Sequence, residues 1–500
     1  MLELQFLKES ISCLKPAVRD VQNIEQTQEL RLSDGMPDIG RILSAWGQVI
    51  LRGKEWLEDS ISLTGGVMVW LLYIPEEGGA PVSIDTWIPF QLRWDLPVGT
   101  PEGTIRTECL MRFVDARSVS ARKIMLRCGI AALAEAYVPE SCDVYSPQKL
   151  PEDIQLLQMT YPLRLPVAAG EKTFLLDEEI SLPASVPEPE KLIYYRITPV
   201  ISDQKVMANK VVFRGVGMVH LLYACKDGQL HSWDMELPFS QFAELEQSFS
   251  AEAEADLLIS TTSLELEHNE ESGLRLKCGF VGQYLIKELQ HLSLVEDAYS
   301  TTRELECQEE MLQLPMVLET RRERIAAEQN LPVAADEVTD IQYLPDFPRQ
   351  RQTDDKVHLE LRGYFQMLYY DDVGNLQSAN TRWEGAMDIP SHPDSRLLTL
   401  PVNSSNPQAL PSVGSVTMRA ETEVSLNVTS TQGLPMVTGL ELGEGKDVDE
   451  NRPSLILRRA GDIGLWDMAK MSGSTIDSIR QANNMEGEPT PGQMLLIPSP

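Results

Sequence analysis

Three stretches of this 500-residue chain repeat one another at domain-length intervals: GGVMVWLLYIPEEGGAPV, GVGMVHLLYACKDGQLHS and RGYFQMLYYDDVGNLQSA. In each, an aliphatic pair or Met-Leu precedes a tyrosine (Tyr73, Tyr223, Tyr369), and a glycine follows five residues later (Gly78, Gly228, Gly374). The tyrosines lie 150 and then 146 residues apart. A period of that length means a triplicated domain. A second match holds the same register: Ile124, Leu126, Cys128 and Ile130 recur 150 residues later as Leu274, Leu276, Cys278 and Phe280. In the third unit Val424, Leu426 and Val428 keep the alternation without the Cys-Gly pair, so that copy is the most diverged.

Alternation with period two in Val, Leu, Ile and Tyr is the pattern of half-buried strands. The three glycines suit hairpin turns, where positive φ costs glycine little. The prolines in WIPF and ELPF place the returning strand at a sheet edge or end its ladder. The expected fold is mainly β: three related antiparallel β-rich repeats, with a helix admissible at AALAEAY or QYLIKEL, and a small C-terminal β-α-α-β domain. Composition places the repeats at 1–170, 190–318 and 338–440. The Pro- and Glu-rich segment 182–190 separates the first two, and 319–338 admits a short charged helix and a linker. Residues 441–453, with five acids and two bases, read as a flexible acidic tether before a last domain at 454–500.

Seventy-five acids against 43 Lys and Arg give a formal charge of −32, which repels nucleic acid and anionic membranes and favours a basic partner. The seven cysteines form no CxxC and read as reduced, mostly buried thiols, with an incidental disulfide as the alternative. The first thirty residues lack signal-peptide features, and Val67 to Ile74, the best apolar run, is far short of the ~20 residues of a membrane helix. The expectation is a chain retained in the cytoplasm, without membrane insertion.

The last domain reads strand, helix, helix, strand. Leu455 and Leu457 alternate, Leu465, Met468 and Ala469 recur at helical spacing, and Thr475 or Ser474 caps a second helix through Ile476 and Ile479. Asn483 and Asn484 suit its end, before a turn at Pro491-Gly492 and a last strand through Leu495 and Ile497. Its four bases and five acids leave it near neutral. GD-x-x-LWDMAK, TIDSIRQANN and PGQMLLIP together resemble the LysM family, whose members bind N-acetylglucosamine-containing glycans such as peptidoglycan or chitin. Relative to the family spacing, one extra residue falls at Ile463-Gly464, in the loop that helps form the groove. The resemblance places a groove between Asp462 to Gly464 and the loop after Ile479 through Asn484. Trp466 and Met471 are the candidate anchors for a protein partner. Leu465 and Trp466 cannot face the same way on a helix, so one of them belongs inside.

DGMPDIGRIL at 34–43, the strand ending in LLY with its glycine, Pro89-Phe90 and Arg122 to Ile124 are similar to the SPOCS domain, found in spore coat and cortex proteins of spore-forming Firmicutes. In the later units the PDI sequence is weak, LPDF at Leu344 to Phe347 being its nearest echo. Three such repeats and one C-terminal LysM resemble clostridial spore coat morphogenetic proteins. That architecture implies a non-enzymatic scaffold in coat or forespore-envelope assembly, in the mother-cell cytosol at the forespore surface. The LysM-like module would dock the coat basement ATPase or another coat protein. The alternative is a peptidoglycan-binding protein of the wall or cortex; a hydrolase targeted by its LysM is the third reading.

The sequence carries no recognisable catalytic pattern. None of the six histidines has a partner at i+4, and there is no Walker loop, Rossmann fingerprint or GxSxG elbow. His220, in a central strand, reads as structural. Asp34 and Asp38 read as turn formers, and no metal or cofactor is expected.

Overall fold

The computed structural model describes residues 2–269, 273–353, 356–390, 395–404, 407–430, 432–446, 453–461 and 463–498. After β1 (Leu2–Glu3), the first unit comprises β2 (Phe6–Arg31), β3 (Ile39–Trp56), β4 (Ser60–Pro75), β5 (Val82–Asp95), β6 (Thr104–Ser120) and β7 (Lys123–Pro147). The second comprises β8 (Ile154–Ile180), β9 (Lys191–Met207), β10 (Lys210–Ala224), β11 (Leu230–Glu244), β12 (Glu254–Asn269) and β13 (Gly273–Ser300). Strand β14 (Arg303–Leu312) leads to the third unit: β15 (Val317–Leu331), β16 (Glu337–Pro345), β17 (Arg349–Gln352), β18 (Lys356–Tyr370), β19 (Leu376–Pro390), β20 (Ser395–Ser404), β21 (Gln408–Ser412) and β22 (Ser415–Ser430). Then follow β23 (Leu434–Gly445), β24 (Leu455–Arg459), α1 (Leu465–Ser472), α2 (Ile476–Asn483) and β25 (Met494–Pro498).

The units share one strand order. In each, the first strand pairs with the last, and the last also pairs with the segment before it, giving β2-β7-β6, β8-β13-β12 and, with that segment split in two, β15-β22 with β20 and β21. The strands between form a separate antiparallel meander: β3-β4-β5, β9-β10-β11, and β18 between β19 and β16 with β17. The repeat tyrosines hold equivalent places on the central meander strand. Tyr73 faces Ile42 and Val82, Tyr223 faces Leu192 and His231, and Tyr369 faces Val338 and Gln377. Gly78, Gly228 and Gly374 take φ of 78°, 81° and 86° in the following turns, the left-handed region where a Cβ is strained. Pro89 and Pro238 lie on β5 and β11, which are edge strands. The phenylalanine after each proline covers a glycine across the ladder. A Cβ built on Gly65 would come within 2.7 Å of the Phe90 ring, and one on Gly215 within 2.6 Å of Phe239.

Several segment boundaries differ from the composition-based ones. Strand β8 pairs along its whole length with β13, so residues 154–170 belong to the second unit, and 182–190 is the β8–β9 connection inside it. Residues 319–331 are strand throughout, paired with β22 to open the third unit, so the charged helix is absent there. Residues 441–445 of the expected tether finish β23, where Leu442 is buried opposite Leu2 and Leu305. The rest of that tether lies mostly outside the described residues.

The two suggested helices are also strands. AALAEAY belongs to β7 and QYLIKEL to β13. Ile130, Ala132, Ala134 and Ala136 face the first unit's core, while Ala131 and Leu133 pack with Leu258 of the second unit and Phe347 of the third. Burial on both faces erases the alternation that would mark a strand, and tertiary packing overrides alanine's helix preference.

The three units close on one another. Trp70, His220 and Gln366 each stand three residues before a repeat tyrosine. Ser44, Tyr194 and Asp340 each lie opposite the residue just before it, namely Leu72, Leu222 and Leu368. Trp70 packs edge-on against Tyr194 at 5.1 Å, His220 Nε2 lies 2.8 Å from Asp340 Oδ1, and Gln366 Nε2 donates to Ser44 Oγ and to the Ala45 carbonyl. First unit meets second, second meets third, and third meets first. A further sheet, β1-β23-β14, joins the chain's beginning to segments on either side of the third unit.

Candidate functional site

The C-terminal module is built as two short helices over the β24-β25 ladder. Thr475 Oγ1 accepts from the Ser478 amide at the start of α2. Gly473 and Asn484 end the helices in the left-handed conformation, with φ of 60° and 48°. Leu465, Met468, Ala469, Ile479, Leu495 and Ile497 form its core, which is completed by Tyr299 from β13. The module is therefore seated on the second unit. The Tyr299 hydroxyl donates to the Ser474 carbonyl at 2.8 Å, and its ring meets Trp466 edge-on at 4.9 Å. Trp466 Nε1 donates to Asp297 Oδ2 at 2.8 Å, and Lys470 Nζ lies 2.7 Å from both oxygens of that carboxylate.

This arrangement separates the residues assigned to partner or glycan binding. Leu465 is the buried member of its pair, and Trp466 is half-buried in the seat with its only donor taken. Asn483 donates to the Ile479 and Leu496 carbonyls and accepts from the Leu496 amide, tying α2 to β25. Asn484 acts as the helix cap, and Gly464 occupies the N-cap position of α1. Met471 and Ile463 are exposed, at 64% and 38%. Asp462 lies outside the described residues. On the outer face of the small ladder, Leu455, Leu457 and Met494 are exposed, at 49%, 61% and 51%, while Leu495 and Ile497 point inward. Sequence reasoning placed Leu455 and Leu457 in a strand but did not single out this face.

A second concentration of chemistry lies where the three units meet. A cavity of about 230 Å³ is lined by Gln48, Glu108, Met111, Arg196, His220, Leu258, Arg322 and Gln342, among others, drawn from all three units. Trp46 Nε1 donates to Asp340 Oδ2 at 2.9 Å, and Trp46 stacks on Tyr194. Burial and Arg196 oppose protonation of His220, but Asp340 and Asp234 outweigh them and hold its pKa above the ordinary value. Burial, reinforced by Glu135, pushes the Glu108 carboxyl up to about 8, against the pull of Arg106. Behind it Arg106, fully buried, donates to Glu135 at 3.1 Å and to the Asp256 carbonyl at 3.1 Å, and Arg19 shares Glu135 at 2.6 Å. These charges are fixed by one another, as buried ion pairs must be. His220, read from the sequence as structural, lies between the Asp234 and Asp340 carboxylates. The remaining members carried no motif, because strands distant in sequence bring them together.

The loop of the first unit, 34–38, is held from two sides. Tyr73 donates its hydroxyl to the Pro37 carbonyl at 2.9 Å, and Arg122 Nη1 binds Asp38 at 2.5 Å and the Met36 carbonyl at 3.2 Å. Asp38 thus fastens the turn that leads into β3.

No helix among the described residues is long and apolar enough to cross a membrane. No curated protein and no solved structure matches the chain. Residues 188–270, which run from just before β9 to just after β12, match the family described as SipL, SPOCS domain, and relate this chain distantly to a sporulation-associated family.

Proposed function

We propose that this protein is a non-enzymatic scaffold of spore coat or forespore-envelope assembly, and that its C-terminal module docks a coat protein. The coat basement ATPase implied by the domain architecture is the first candidate, which places the work on the mother-cell side of the forespore surface. The observation that carries this reading is the outer apolar face of β24-β25, with Leu455, Leu457 and Met494 exposed on a module whose opposite side is already seated on β13. The family match within the second repeat supports the sporulation setting. Glycan binding draws less support, because Asn483 and the Trp466 N–H are committed to contacts inside the chain.

Binding of the purified ATPase to the full chain tests this. Leu457→Asp places a charge at the centre of the face without touching the core. It is expected to weaken binding by roughly 30-fold or more, the scale of losing one hot spot of ~2 kcal/mol, while the melting curve stays unchanged. Unchanged binding by that variant, or micromolar binding of chitin oligomers with no ATPase binding, would overturn the proposal.

A further inference from the structure

Near the start of β2, three potential metal ligands share one face of a sheet. Cys13 on β2 lies directly opposite Glu140 on β7, and Cys142 is two residues along β7, on the same side by the strand period. Their thiol sulfurs and a carboxylate oxygen all lie within 4.8 Å of one another. Around a tetrahedral zinc ion, with bonds of about 2.0–2.3 Å, neighbouring ligand atoms sit roughly 3.3–3.8 Å apart. Small side-chain rotations therefore separate this cluster from a coordinating geometry.

We propose that Cys13, Cys142 and Glu140 form a binding site for a thiophilic divalent cation of the zinc class, with water as the fourth ligand. Two thiolates and a carboxylate around a dication leave one net negative charge. Lys15 supplies the compensating positive charge: its ammonium lies 2.9 Å from Glu140, and its side chain is exposed enough to swing aside as the carboxylate turns to the ion. Cys13 is 3% exposed, whereas Glu140 and Cys142 are half-buried, so the ion enters from their side. Each thiol gives up its proton as the cation binds, because the thiolate is the ligand. Binding releases both thiol protons to solvent and strengthens as pH rises.

The position gives such an ion a structural task. Cys13 belongs to an apolar cluster with Leu163 and Leu294 of the second unit, Leu312 and Leu314 ahead of the third, and Met436 of β23. Cys142 Sγ lies 3.8 Å from the Gln313 carbonyl. A metal here would clamp the first unit at the seam where the chain passes from the second to the third.

The test is titration of the full-length, reduced, metal-stripped chain with Cd2+ and then Zn2+, reading thiolate-to-cadmium absorption, stoichiometry by native mass spectrometry, and melting temperature. One equivalent should bind with an absorption band and a rise in melting temperature. Cys142→Ser, at a half-buried position, should keep the fold and lose the band, and Cys13→Ser should lose it too. Glu140→Gln should weaken binding by at least the ~10–100-fold typical of losing even a supporting residue. Cys128→Ser and Cys278→Ser should leave the absorption band and the stoichiometry unchanged. Absence of stoichiometric binding, a band that survives Cys142→Ser, or recovery of Cys13 and Cys142 only as a disulfide under reducing conditions would overturn the proposal.

Discussion

Glu108 lines the junction cavity with one carboxylate oxygen buried and unpartnered, and its pKa of about 8 has a consequence for stability. The folded chain keeps this proton while the unfolded chain loses it near the ordinary glutamate value. Between about pH 4.5 and 8 the native state therefore binds more protons, and stability falls as pH rises through that window. Glu108→Gln removes the ionisation and keeps the volume. Melting temperatures measured from pH 6 to 9 should decline less in this variant than in the parent, with its largest advantage at the alkaline end. Parallel declines would show that Glu108 already ionises freely in the fold. Residues of this kind are hidden from sequence reading because glutamates are so numerous here; only the three-unit junction distinguishes Glu108 from its solvated neighbours. Cys128 and Cys278 were legible: each continues an apolar alternation, and both are fully buried and free.

At the scale of elements, the sequence showed strands where one face is wet and misled where both are dry. Period two marked the meander strands, and the glycine spacing marked their turns. In β7, however, the run from Gly129 to Val138 is buried on both faces, and the strand there was indistinguishable from a helical segment. The C-terminal module shows the complementary case. Its four elements were legible from caps and spacing, but its seat was not, because Asp297 and Tyr299 sit 169 and 175 residues before their hydrogen-bond partners Trp466 and Ser474. Asp297→Ala removes the acceptor for Trp466 and the counter-charge of Lys470. It should weaken the seating by about 1.5–3 kcal/mol, the range for hydrogen bonds to a charged group. Hydrogen exchange should then quicken in α1 and around Tyr299 while the meander sheets stay protected. Unchanged exchange in α1 would mean that the module holds its place without this contact.

For the whole molecule, the triplication was written in the sequence but the closure was not. Trp70, His220 and Gln366 occupy one repeat position and are chemically unlike, since each meets a different neighbour: a tyrosine, an aspartate and a serine. Pairwise contacts that differ from junction to junction leave no repeated signal to read. They also explain how three similar units take one cyclic order, because each junction accepts its own partner only. The proposed docking rests on this body, which presents the C-terminal module from a seat on the second unit. The measurement that bears on it most directly is small-angle X-ray scattering of the monodisperse full-length chain. A closed assembly of 500 residues should give a radius of gyration near the compact-chain value of about 23 Å. A value of roughly 35 Å or more, expected for three ~150-residue domains strung end to end, would contradict the closed arrangement.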